Sequence, residues 1–256
     1  MTLFRPDKIK VKKHSNSDYV FEFYNKNNTC LHENRSAIIS VIREVTRDGW
    51  GEPGELVLKW FELIDILIFA KENDIIKGFV IAKFLSDDVI SIVATVVSKE
   101  KQATGLGSLL NTLVLLELSF SRIKRNYLKL FSPISFVFRT PNPKLFSIAL
   151  RNLNIYPDLK GHPPNEKQVN IFNDFIKTMS PDSIVDQSNF VTMHSLKRYP
   201  DLIYSLETIP WSDNSKVNNF FIDKVRLLER EGNTLVVVGR ISIKDAVCNL
   251  KKILWI

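Results

Sequence analysis

Cysteine and histidine are scarce in this sequence, with 2 and 4 respectively among 256 residues. Cys30 and Cys248 stand far apart with no Cys or His at metal-ligand spacing, and a chain of this length has core enough to do without a covalent staple. Both are expected as reduced packing residues. His14, His32, His162 and His194 are equally scattered, so no zinc constellation is built from neighbours and no metal is expected. Long apolar runs are missing too. The richest stretches, 63–70 and 109–120, are interrupted by Asp65 and by Asn111, Thr112 and Glu117, and fall short of the roughly 20 residues a spanning helix needs. No membrane crossing is expected. The start, MTLFRPDKIKVKKH, has charges with no apolar segment after it, which argues against an export signal and for a cytoplasmic protein. There is no internal repeat and no low-complexity tract.

What is present suits a globular protein: 45% hydrophobic and 25% charged residues. The net charge of +7 is carried partly by lysines between Lys8 and Lys13, by Arg122, Lys124, Arg125 and Lys129, and by Lys251 and Lys252. It favours anionic partners. Nucleic acid is one such partner and a polyphosphate cofactor another; no aromatic-basic recognition motif supports the first.

Periodicity predicts a strand over 18–24 (DYVFEFY), a turn over 25–29, and a helix over 35–47 from Ile38, Ile39, Ile42 and Val45, with Asn34 as its cap and Gly49 as its stop. A short helix is expected over 55–63. Three strands follow, 66–71, 75–84 and 89–97, joined by short polar breaks of the kind that connect antiparallel neighbours. The third, VISIVATVV, is nearly all apolar and reads as buried on both faces. Residues 104–120 carry a wide apolar helical stripe. After them come a strand over 134–139, a TPNP break, a helix over 144–153 and a helical piece around 169–179. A strand over 189–196, a helix over 217–231, a strand over 234–241 and a closing helical turn over 246–254 complete the chain.

Between the third strand of the meander and the long helix lies KEKQATGLGSLL. A dinucleotide fold would need a third glycine and an acidic residue about 20 positions on, and a P-loop would need a lysine before Ser108; both are missing. What remains is a glycine turn opening a helix, where free N–H groups and the positive end of the helix dipole suit a phosphate group. Gln102-Ala103-Thr104-Gly105-Leu106-Gly107 matches the acyl-CoA signature of the GNAT superfamily of N-acyltransferases, and by this motif and its place after a buried strand the sequence resembles that superfamily over 18–156 and, more loosely, 189–241.

The resemblance implies a mixed α/β (α+β) fold with a mostly antiparallel central sheet flanked by helices and splayed at the central strand. One domain is expected over 1–256, with its core at 18–156 and 189–243 and an insertion at 157–188. It further implies acetyl-CoA or another acyl-CoA as donor, with Val96 and Val97 as backbone partners of the pantetheine arm. Gln102, Ala103, Thr104, Gly105, Leu106, Gly107 and Ser108 would surround the pyrophosphate, and Asn142 would lie at the cofactor arm. Asn before Pro143 is also a good helix N-cap. The family commonly has a tyrosine acid seven residues after that asparagine; this chain has Ala149, and Tyr156 lies further along.

The acceptor would be a small-molecule or peptide amine that attacks the thioester directly, with a backbone N–H at Val96 or Val97 holding the oxyanion. Asp87, Asp88, Glu52 and Glu55 are base candidates, with His194 as an outlier; Asp87 and Asp88 also suit a hairpin turn. Trp50, Tyr199, Tyr204 and Trp211 are candidates for shaping an acceptor pocket. A longer acyl donor, or a CoA-binding or nucleic-acid-binding protein without catalysis, is the alternative.

Overall fold

The computed structural model describes residues 8–12, 18–125, 132–242, 244–245 and 248. Lys13, Lys129, Lys251 and Lys252 lie outside these residues, as does the expected closing turn apart from Cys248. The chain groups into two compact units: Met1–Phe84 with Ile92–Ser132 and Ser242–Ile256, and Leu85–Ser91 with Pro133–Ile241.

In the first unit, β1 (Lys8–Lys12) pairs antiparallel with β2 (Asp18–Asn25), so a basic stretch expected only as charge is a strand. α1 (Thr29–Glu33), α2 (Arg35–Gly49) and α3 (Leu56–Glu62) follow, then β3 (Ile66–Glu72), β4 (Ile75–Ser86) and β5 (Val89–Val97), whose residues from Ile92 onward belong to this unit. β2, β3 and β4 are antiparallel neighbours, with a register shift between Ala70 and Lys71, and β5 lies beside β4. α4 (Leu106–Arg125) completes the unit.

Side chains alternate along β5, so the two helix ends approach it from opposite faces. A Cβ on Gly49, at the end of α2, would lie 3.1 Å from Val96 Cγ1, whereas one on Gly107, at the start of α4, would meet Val97 Cγ2 at 3.6 Å and Thr95 Cγ2 at 3.8 Å. β5 was expected to be buried on both faces. Val89–Ser91, Ala94 and Val96 are buried, but Ile92, Val93, Thr95 and Val97 are only half-buried, and at Thr95 and Val97 the neighbouring residue of α4 is a glycine with no side chain to cover them. The polar exception Asn111 is explained by the same face: its Oδ1 accepts a hydrogen bond of 2.5 Å from the Thr95 hydroxyl.

The second unit holds β6 (Ile134–Thr140), α5 (Pro143–Asn152), β7 (Asn154–Tyr156), α6 (Glu166–Met179), β8 (Ile184–Asp186), β9 (Val191–Met193), α7 (Ser215–Asp223) and β10 (Thr234–Ile241). β10 is the hub, pairing antiparallel with β6, β7 and β9, and β8 adds to β9. Gly239 is required opposite Phe136, whose ring would stand 2.2 Å from an added Cβ. The segment expected as an insertion supplies core: Ile171, Phe172 and Phe175 of α6 pack with Val137, Val236, Val238, Tyr156 and Phe190, and the Phe172 and Phe190 rings stack at 4.3 Å. Fully burying each such side chain contributes about 1.5–3 kcal/mol.

The architecture is thus mixed α/β, with a largely antiparallel sheet and flanking helices. Several expected boundaries move for local reasons. Residues 29–33 form α1, of which only Thr29 fell within the turn expected over 25–29, and the Asn34 side chain makes no cap bond to α2; its amide donates back to Cys30 O of α1. The strand expected over 189–196 shrinks to β9, bounded by left-handed Phe190 and His194. The helix expected over 217–231 stops at Asp223, since Arg226 is left-handed too. Cys30 and Cys248 are free and exposed rather than packed. No helix among the described residues is long and apolar enough to cross a membrane.

Candidate functional site

The turn after β5 is held from two sides. Ser98 N–H donates to Lys77 O of β4 at 2.9 Å, a short 3-10 turn covers Lys99–Lys101, and α4 begins at Leu106. Lys99 N–H donates to Asp48 Oδ2 at 2.9 Å and the Gln102 carboxamide to Gly49 O at 2.8 Å, which fastens the turn to the end of α2. Lys101 pairs with Glu72 at 2.6 Å and Lys77 with Glu100 at 2.5 Å, which fastens it to β3 and β4. The Glu72 hydrogen bond holds the Lys101 ammonium above the ordinary lysine range. Gln102 therefore serves the turn with its side chain and leaves only its backbone to a ligand.

Two residues of the turn are left-handed, Ala103 at φ 62° and Gly105 at φ 84°. Alanine adopts this region at a cost, whereas glycine does so freely. Gly105 precedes the first residue of α4, and its carbonyl accepts from Leu109 N at 3.0 Å. It has no side chain to cap the amides that follow. Leu106, Gly107 and Ser108 are first-turn residues whose N–H groups have no partner within the helix, and the helix dipole adds positive potential. Ser108 is exposed and Gly107 half-buried. At the root of the turn the Ser98 hydroxyl is buried with no hydrogen-bond partner among the described residues. Open amides and a missing Cβ fit an anionic phosphate group.

The backbone of Val96 and Val97 is oriented by β4. The Val96 carbonyl lies 2.9 Å from the Cβ position of Gly78, on the same side as the Ser98 N–H bond to Lys77. Alternate residues of an extended strand direct their polar groups to one side, so the Val97 amide faces away from β4. The Val97 carbonyl stands 2.4 Å from where a Cβ on Gly49 would sit, so only glycine ends α2 there.

In the second unit, Asn142 caps α5: its Oδ1 accepts from Leu145 N at 2.8 Å, with Pro143 at the first helical position. Its amide also donates to the Tyr204 hydroxyl at 3.3 Å, a contact 62 residues apart in sequence that no local pattern signals. Burial pushes the Tyr204 phenol above its usual range. Ala149 is buried in α5, and the Tyr156 hydroxyl donates to Ser188 O at 3.1 Å.

The base candidates do not come together. Glu52 accepts from Arg47 Nε at 2.7 Å, and this bond holds its carboxyl below the usual range, which weakens it as a base. Glu55 is exposed just before α3. Asp87 and Asp88 form the β4–β5 turn, where Asp88 N–H donates to Ser86 Oγ at 3.3 Å. His194 is left-handed, with Nδ1 3.8 Å from Glu231. Among the aromatic candidates, Trp50 is exposed and sets its ring edge-on to Trp60 at 6.0 Å, Trp211 is exposed, and Tyr199 and Tyr204 are half-buried.

No family model and no curated protein matches the chain. Solved structures similar to it include an IAA acetyltransferase from Bacillus cereus, at 8% identity over 87% of this chain and 99% of that one, with a TM-score of 0.47. The ribosomal-protein-S18-alanine N-acetyltransferase from Escherichia coli is similar at 13% identity over 57% and 86%, with a TM-score of 0.37. A GNAT family acetyltransferase from Elizabethkingia anophelis with acetyl-CoA bound is similar at 16% identity over 66% and 88%, with a TM-score of 0.35. Identities and scores this low leave the chain's own residues as the ground for its function.

Proposed function

We propose that the chain is an acyl-CoA-dependent N-acyltransferase of the GNAT type, moving an acyl group, in the simplest case acetyl, to a primary amine. The observation that carries this reading is the turn at 102–108: a signature-matching sequence, pinned to α2, β3 and β4, that leaves the first amides of α4 uncapped.

On this reading the amides of Leu106, Gly107 and Ser108 hold the pyrophosphate of CoA, with Gly105 leaving room for its close approach. CoA supplies the thioester. The amine nitrogen bonds to the thioester carbonyl carbon, the carbon–sulfur bond breaks, and the thiolate leaves. Holding both molecules in one complex supplies much of the acceleration. Of the two valines, Val97 is assigned as oxyanion donor rather than Val96, because its amide faces away from β4. A protonated amine must lose a proton before attack. Arg47 makes Glu52 a poor acceptor for it, so solvent is assigned this role, and with Ala149 in place of a phenol water returns a proton to the thiolate.

Isothermal calorimetry with acetyl-CoA tests the donor side. Binding with a Kd in the roughly 1 µM to 1 mM range of ordinary substrates is expected, and no heat from folded protein refutes the reading. Release of free thiol from acetyl-CoA and longer acyl-CoAs, scanned over small amines and peptides, then identifies donor and acceptor. Binding without release in every combination marks a CoA-binding protein, the second reading, which Ala149 favours.

A further inference from the structure

Arg139 is the next-to-last residue of β6. It lies on the same face of β6 as Val137, the face that α6 covers. One guanidinium nitrogen, Nη1, donates to Ser180 Oγ at 2.9 Å, just past the end of α6. Among the described residues no carboxylate pairs with Arg139. Half-buried lysines elsewhere in the chain do have one: Lys71 has Glu22 at 2.8 Å, Lys77 has Glu100 and Lys101 has Glu72. Among the described residues Tyr199 is the one ionisable side chain acting on Arg139, and partial burial pulls the guanidinium down to about 10. A desolvated charge with no counter-charge is costly, and proteins normally pair it. Ser180 uses one of its donors, and the planar fork that remains matches the two oxygens of a carboxylate or phosphate.

We propose that Arg139, with Ser180, forms an anion-binding subsite for a carboxylate or phosphate group that CoA does not supply. The proposal does not depend on the acyltransferase reading. The competing explanation is architectural: a cation beyond the last turn of α6 also complements the negative end of the helix dipole. The two differ in the ligand-free protein. A residue kept for the helix end stabilises the chain, whereas an unpaired, half-buried charge destabilises it until its ligand arrives.

Calorimetry of the full chain with inorganic phosphate, with and without saturating CoA, together with thermal melting of each protein, tests the proposal. Phosphate is expected to bind the unsubstituted protein under both conditions. R139M should bind it at least about tenfold more weakly, equivalent to about 1.4 kcal/mol, and should melt no lower than the parent without phosphate. R139K, which keeps the charge but loses the fork, should fall between them and also covers a failure of R139M to fold. Absence of phosphate binding, or equal binding by the parent and both variants, overturns the proposal. So does displacement of phosphate by CoA, which would assign the anion to the donor. A drop in the melting temperature of R139M with unaltered phosphate binding makes Arg139 architectural and overturns it as well. No arm reads acyl transfer, so failure of the enzymatic reading leaves phosphate binding to be judged by itself.

Discussion

Where β5 turns into α4, the residue before the helix is Gly105, left-handed and without a side chain; where β6 turns into α5, it is Asn142, whose side chain closes onto Leu145 N at 2.8 Å while Pro143 removes another donor. Both junctions join a buried strand to an amphipathic helix. The first leaves its helix amides open and stiffens the turn from outside, through Asp48, Gly49, Glu72 and Lys77. The second consumes its open donors locally. A helix start that needs no ligand is capped by its own sequence, and one that stays open while other elements hold it rigid is ready for an anion.

Gly105→Glu strikes the open junction hardest. A carboxylate among the first amides and a side chain at φ 84° should weaken CoA binding at least about a hundredfold, or about 2.8 kcal/mol, and should cost about 1–2 kcal/mol of stability through left-handed strain. Unchanged affinity by calorimetry would erase the contrast between the junctions. Gly49→Ala tests the outside support. Its Cβ would sit 2.4 Å from Val97 O, so overpacking should cost about 1–3 kcal/mol in urea unfolding and loosen CoA binding as Gln102 loses its anchor. A variant as stable as the parent would show that the turn stands alone.

Asn142→Ala is the mirror experiment at the closed junction. Loss of the cap should cost about 1 kcal/mol of stability, with CoA affinity held within about twofold. If affinity falls while stability holds, Asn142 faces the ligand and the two junctions are alike in function. The smallest effect belongs to Glu52→Gln, beside the loop that leaves Gly49. Because Arg47 keeps the Glu52 carboxyl below its usual range, any stability from the pair is present above the ordinary glutamate pKa and fades as pH falls through the lowered one. The pair is exposed, so thiol release at neutral pH should change by less than about threefold. A loss of two decades would restore Glu52 as the base.

Much of this contrast is legible in the chain. The strands at 66–97, the cap at Asn142 and the glycine turn follow from alternation, from an Asn-Pro pair and from two close glycines, all of which act over a few residues. The short helix at 29–33 and the strand at 8–12 are missed because five residues carry too little periodicity to outweigh turn-forming or charged side chains. The overlong helix expected to 231 fails at Arg226, whose positive φ no composition announces. The Gln102–Gly49 anchor, the Asn142–Tyr204 bond and the isolation of Arg139 escape for a different reason. Each depends on partners 41 to 62 residues away or on a carboxylate that none of the described residues supplies.

The sequence by itself determined that a glycine-containing turn opens a long apolar helix after a nearly continuous apolar strand, because glycine's conformational freedom and side-chain periodicity are local properties. Only the tertiary structure decided that Gln102 is an anchor, that Val97 rather than Val96 turns its amide away from β4, and that Arg139 stands without a carboxylate among the described residues. Hydrogen bonds and ion pairs between distant elements are set by which strands and helices become neighbours, and that follows from packing the whole unit.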